Sequence, residues 1–197
     1  MDVEANLTEY FASHIEVATT AAVELTGPLD QAGLAMANCL LSDHKIITCG
    51  DGQAASLAEL LCSYLVTGFT TERPELPCIA LSTQAQYRGA TDYAEVFSRQ
   101  IKALGQPGDL LLAFTNGKHS ELTFRAVLAA RDKDMTTLLL DYPAGAESHT
   151  LLGDRDIRLI VPTAARHHLI ELQVCIIHCL TRLVDYYIFG ETSQHEN

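Results

Sequence analysis

Two polar loops and one histidine concentrate the chemistry this sequence could do. The first loop is Cys49-Gly50-Asp51-Gly52-Gln53-Ala54, between an apolar run and a helical pattern. Glycines in a strand-to-helix turn let the backbone approach a ligand, and the opening helix offers unpaired N–H groups to an anion. The same glycines also suit a tight turn that binds nothing. The third glycine of a dinucleotide fingerprint is missing. The second loop is Phe114-Thr115-Asn116-Gly117-Lys118-His119-Ser120. Thr115, Asn116 and Ser120 could hold a phosphate, with Lys118 as counter-charge, although Ser120 equally suits a helix N-cap. His178 lies on an apolar helical stretch, where a histidine either moves protons or is a satisfied core group. Six cysteines are present and none forms a C-x-x-C pair. Cys175 and Cys179 flank His178, but a zinc site needs further ligands from a facing element, so neither metal nor cofactor is expected.

The elements that must position these groups are legible from hydrophobic spacing. Five short apolar runs, at 46–49, 78–81, 110–114, 137–140 and 157–161, have the length of buried strands. Helix-like stretches at 54–66, 92–104 and 120–132 separate them. Such alternation predicts an α/β domain with a parallel sheet covered on both faces. Both polar loops then leave the carboxyl ends of strands, where open α/β sheets bind ligands. Upstream, Leu7, Phe11, Ile15, Ala18, Ala22 and Leu25 form one apolar helical stripe. Gly27-Pro28 is expected to end that helix and Pro28 to open a second. A last helix covers 164–189. One domain is expected, with a helical layer at 1–42, an α/β core at 43–189 and a polar tail at 190–197.

Composition narrows the function classes. The chain has 197 residues, 48% hydrophobic and 19% charged, enough to bury a core, which excludes disorder. A net charge of -12 repels phosphate backbones, so no direct nucleic-acid partner is expected. Mean hydropathy is only +0.10 and no membrane partner is expected. The start, Met1-Asp2-Val3-Glu4, is acidic where a secretory leader is basic. Reduced thiols and no leader predict a cytoplasmic protein.

Several blocks resemble the sugar isomerase (SIS) domain family, in the branch of phosphoheptose isomerase and the DnaA initiator-associating protein (DiaA). They are Cys49-Gly50-Asp51-Gly52, Thr71 to Leu81 with its Glu72-Arg73-Pro74, Ile101 to Gly105, Gly108 to Ala113, and Leu180 to Asp185. The resemblance implies a three-layer fold with a five-stranded parallel sheet and two N-terminal helices used in assembly. It implies a homotetramer, and a phosphosugar site at Gly50, Asp51, Gly52, Thr115, Asn116 and Ser120. His178 stands at the isomerases' histidine. Tyr64, however, stands at their catalytic glutamate, Ile170 at a substrate-contacting glutamine, and Asp51, Gln53 and Ala54 at the Asn, second Gly and Ser of the first loop. The stretch 82–92 is shorter than in the family, and Asp92 is the candidate for its active-site aspartate. A phenol holds its proton at neutral pH and is a poor carbon base. On these departures the expected function is non-catalytic. The chain would bind a replication initiator protein, as DiaA does, with Ile188 and Phe189 after Tyr186 and Tyr187 as partner contacts. The alternatives are a sedoheptulose-7-phosphate isomerase, or a sensor of a phosphorylated sugar or nucleotide sugar.

The first apolar stripe predicts assembly, since one sheet domain cannot absorb it. Light scattering is expected to report about four times the 21.5 kDa chain. Replacing Phe11 and Ile15 by Asp is expected to split the assembly, because burying unpaired charge costs several kcal/mol. A monomeric wild type refutes this.

Overall fold

A computed structural model describes residues 3–70, 72–83, 93–115, 120–143 and 151–190. Asn116, Lys118, Asp92 and the tail beyond Gly190 lie outside the described residues. Five strands, β1 (Ile46–Gly50), β2 (Cys78–Ala80), β3 (Leu110–Phe114), β4 (Thr136–Asp141) and β5 (Ile157–Ile160), form one parallel sheet in the order β2-β1-β3-β4-β5. Five helices accompany them: α1 (Val3–Leu41), α2 (Ala54–Thr67), α3 (Val96–Leu104), α4 (Glu121–Asp132) and α5 (Arg166–Phe189).

The apolar runs are continuous because the central strands are buried on both faces. Side chains alternate between faces. Ile46, Leu110, Leu112, Phe114, Leu138 and Leu140 pack into one core with α1, α2 and α5. Ile47, Cys49, Leu111, Ala113 and Leu139 pack into the other with α3 and α4. The α/β three-layer fold and five-stranded parallel sheet are as expected.

The N-terminal layer differs from expectation. Gly27-Pro28 does not end a helix, and the two expected helices are one, with Pro28 inside α1. A proline there forfeits a hydrogen bond and costs about 3 kcal/mol. The packing of the downstream half outweighs this. Ala32, Met36 and Ala37 are fully buried. Gly33 lies so close to α5 that a Cβ on it would stand 2.6 Å from Leu183 Cβ. Gly27 also helps, since the residue before a proline is restricted chiefly through its Cβ. Upstream of Pro28 the stripe is mostly uncovered within the chain: Leu25 is buried, but Phe11 is 65% and Ile15 63% exposed.

Helix α5 is long and apolar enough to cross a membrane by length and composition. It is a central packing element of the domain, with Ile176, Ile177, Leu180, Thr181 and Val184 buried. Its far end is fixed by a buried ion pair. Arg73 Nε donates to Asp185 Oδ1 at 2.7 Å, with side chains only 4% and 7% exposed. The same guanidinium donates from Nη1 to Leu65 O at 2.7 Å and from Nη2 to Tyr64 O at 2.9 Å. A second buried carboxylate, Asp109, accepts from the backbone N–H of Lys45 and Gln106 and pairs with Lys45 Nζ at 2.5 Å, closing the turn into β3.

Removing one partner of a buried pair costs about 3–5 kcal/mol, because the other charge is left unpaired. Arg73→Ala is expected to lower the unfolding free energy by about that much in urea titration. A loss below about 1 kcal/mol, the range of exposed pairs, would show the pair is not structural.

Candidate active site

In an open α/β sheet the ligand crevice lies where the strand order reverses. Here the chain leaves β1 toward β2 on one side and β3 on the other. The crevice is therefore bounded by the turn after β1 and, after β3, by Thr115 and Ser120, the described ends of the second polar loop. The turn after β1 needs its first glycine, since a Cβ on Gly50 would stand 2.2 Å from Ala54 O. Asp51 O accepts from Ala54 N at 3.1 Å and Gly52 O from Ala55 N at 3.2 Å, which folds the loop directly into α2.

Across the crevice Ser120 caps α4, its Oγ accepting from Thr123 N. The same hydroxyl donates to Asp51 Oδ2 at 3.2 Å, joining the two loops. Thr115 is buried, and its hydroxyl donates to Asp141 Oδ1 at 3.2 Å. Its carbonyl accepts from Gln173 Nε2 at 2.8 Å. Gln173 Oε1 is buried with no hydrogen-bond partner among the described residues. Arg166 Nη2 reaches Gln53 Oε1 at 3.4 Å and brings a positive charge to the mouth. Gly50, Asp51, Gly52, Thr115 and Ser120 thus lie together at the carboxyl ends of β1 and β3, whereas Asn116 lies outside the described residues. Gln173 was not legible as a site residue. It reads as one more polar position on α5, and only the helix's pose aims it at Thr115.

Tyr64 and His178 lie elsewhere. The His178 ring stacks on Phe69 with centroids 4.7 Å apart, and Tyr64 lies 5.7 Å from it. Helices α2 and α5 run side by side in the same direction. Gln53 meets Arg166 at the crevice end, and Tyr64 meets His178 farther along. At about 1.5 Å per residue, Tyr64 is roughly 16 Å down α2 from Gln53. Tyr64 and His178 therefore do not share a cleft with Ala54 and Thr115 within one chain.

At the end of α5, Ile188 packs against the core and Phe189 is partly exposed beneath Arg73, whose Cζ lies 5.9 Å from its ring. Among the cysteines, Cys39 and Cys49 are buried and Cys175 is exposed. Burial pushes the Cys39 and Cys49 thiols up to about 11 and 12, which makes them inert.

The profile of the SIS domain matches residues 9–140. The chain belongs to the SIS domain family. It is 39% identical to a phosphoheptose isomerase of Coxiella burnetii, over 94% of this chain and 95% of that one. With a phosphoheptose isomerase of Chromohalobacter salexigens it shares 37% identity over 98% of this chain and all of the other. The solved phosphoheptose isomerase of Francisella tularensis superposes with a TM-score of 0.88 at 31% identity, covering 94% of this chain and 99% of that one.

These relatives overturn the expected non-catalytic, initiator-binding function. That expectation rested on a few loop substitutions and on Tyr64, a single aligned position. Against it stands a likeness to phosphoheptose isomerases that runs nearly the full length of the chain, in sequence and in fold. It favours the isomerase alternative.

Gly50→Ala is expected to displace the first turn of α2, because the added methyl meets backbone rather than a movable side chain. Thermal unfolding should fall by several degrees, as for a loss of 1 kcal/mol or more. An unchanged midpoint would mean the turn has slack.

Proposed function

We propose that the chain is an aldose–ketose isomerase of a phosphorylated sugar, of the phosphoheptose isomerase type, acting on sedoheptulose 7-phosphate. The likeness to phosphoheptose isomerases at 39% and 37% identity over 94% and 98% of the chain carries this reading. The crevice supports it chemically. The Ser120 hydroxyl, the first turn of α2 and the Arg166 guanidinium suit a phosphate.

Isomerisation takes a proton from C1 of the ketose and returns one to C2 through an enediol, while the oxygens exchange a proton. His178 suits the carbon-bound proton, since an imidazole both accepts and returns it. Tyr64 suits the oxygen side, where its hydroxyl donates to the carbonyl oxygen and stabilises charge as it develops. A seven-carbon sugar anchored by its phosphate in one chain's crevice does not reach that chain's own Tyr64 and His178, roughly 16 Å along α2. The reading therefore includes a homo-oligomer, in which one chain's crevice faces another's Tyr64–His178 pair and the stripe of Leu7, Phe11 and Ile15 supplies contact area.

A second reading, phosphosugar binding without turnover, is favoured by the Asp51 carboxylate held against Ser120, where a phosphate meets like charge. One assay separates the two. Purified protein given sedoheptulose 7-phosphate is expected to form the aldose, and His178→Ala to lower kcat at least about 100-fold. Mixing His178→Ala with Ser120→Ala subunits is expected to recover part of the activity. Calorimetric binding without aldose formation would leave only the second reading, and no binding would remove both.

A further inference from the structure

Helices α1 and α5 meet at a cluster that the isomerase reading does not use. His14 comes from α1, and His168 and Glu171 from the first turns of α5. Glu171 Oε2 lies 2.8 Å from His14 Nδ1 and 3.0 Å from His168 Nδ1. One ligand atom from each of the three residues lies within 4.8 Å of the other two. Positions 168 and 171 share a helix face by their spacing, and His14 approaches from the facing helix.

We propose that His14, His168 and Glu171 bind one divalent transition-metal ion, zinc by the chemistry of the donors. Zinc takes imidazole nitrogen and carboxylate oxygen at about 2.0–2.2 Å, so two tetrahedral ligands of one ion lie about 3.3–3.6 Å apart. The two distances to Glu171 are within about half an ångström of this. The histidine nitrogens, within 4.8 Å of each other, need to close by up to about 1.5 Å, which rotation of the half-exposed His14 supplies. Two histidines and a glutamate are also a ligand set that zinc uses where a fourth position stays open to water.

The outer shell is the stronger argument. Metal-bound histidines donate their other ring N–H to a fixed acceptor, and ligating carboxylates are themselves hydrogen-bonded. Both features are built here. His168 Nε2 lies 3.0 Å from Ser13 Oγ, an acceptor for the ring N–H in the tautomer whose Nδ1 turns its lone pair to an ion in place of its bond to Glu171. The Tyr10 hydroxyl donates to Glu171 Oε1, the oxygen the ion does not need. His168 is 3% exposed, and its ring packs in a triangle with Tyr10 and His167, at centroid distances of 5.5 and 4.2 Å. The ligand's orientation is thus set by packing. An ion here would tie the half of α1 upstream of Pro28 to α5.

The test uses the full chain, stripped with a chelator and titrated with zinc chloride against a chromophoric competitor. One ion per chain is expected, and cobalt is expected to give the visible absorption of a four- or five-coordinate site. His14→Ala and Glu171→Gln are each expected to weaken zinc at least tenfold, and Tyr10→Phe roughly tenfold, the scale of outer-shell losses. Should His14→Ala fail to fold, His14→Gln keeps a donor to Glu171 but offers no imidazole. Zinc should raise the thermal midpoint of the wild type and not of His14→Gln. A Cys175→Ser, Cys179→Ser double variant is expected to bind as the wild type does. No bound zinc, binding unchanged in the His14 variants, or loss of binding in the cysteine variant would each overturn the proposal.

Discussion

One buried guanidinium sets the geometry of the α1, α2 and α5 face. The last carbonyls of a helix have no partners within it. Arg73 adds a second donor to the carbonyls of Leu65 and Tyr64 of α2, which also accept from Leu76 N and Gly68 N, while its Nε holds Asp185 of α5. The far ends of two neighbouring helices are thereby locked at fixed spacing. Tyr64, Phe69 and His178 all lie close to this lock, and their ring stack depends on it. The Glu72-Arg73-Pro74 segment and the Leu180 to Asp185 block, both carriers of the family resemblance, are the two halves of this one contact. They mark architecture rather than chemistry.

The sheet gives the other fixed frame. Its strand order places the Gly50 turn and the Ser120 cap across one crevice, and α2 and α5 both start there and run away from it. A chemical group on either helix is then near the crevice only within its first turns. Arg166 and Gln173 meet that condition, while Tyr64 and His178 do not. In the isomerase reading, the phosphate crevice and the Tyr64–His178 pair lie at two ends of the same helix pair of one chain. That division makes assembly part of the chemistry in the isomerase reading.

Much of this was legible before the fold was known. Buried parallel strands announce themselves as continuous apolar runs, and the loops at their carboxyl ends followed. Pro28 was misread because its local signal is strong, whereas the contact that overrides it, Gly33 against Leu183, joins residues far apart in the chain. A position-by-position resemblance aligns Tyr64 and His178 with an active site but does not carry the rise along α2 that separates them from the glycine turn. The pairing of Ser13 and His14 with His168 and Glu171 crosses more than 150 residues, and no periodicity reports it. The non-catalytic expectation failed for a related reason. A few substituted positions were weighed above the agreement of the whole chain.

Helix α1 has 39 residues and so extends about 58 Å. A folded chain of this size has a radius of gyration of only about 16 Å. The helix overhangs its own domain, and Pro28 divides it where one rung of its ladder is missing. The downstream half belongs to the domain's cooperative unit. The upstream half, with Phe11 and Ile15 uncovered within the chain, draws its order from side-chain ties to α5 and from whatever covers those two residues. In the homo-oligomer proposed above, its order is governed by mass action as well as by the sequence. There the first half of α1 would melt with dilution, as the second half would not.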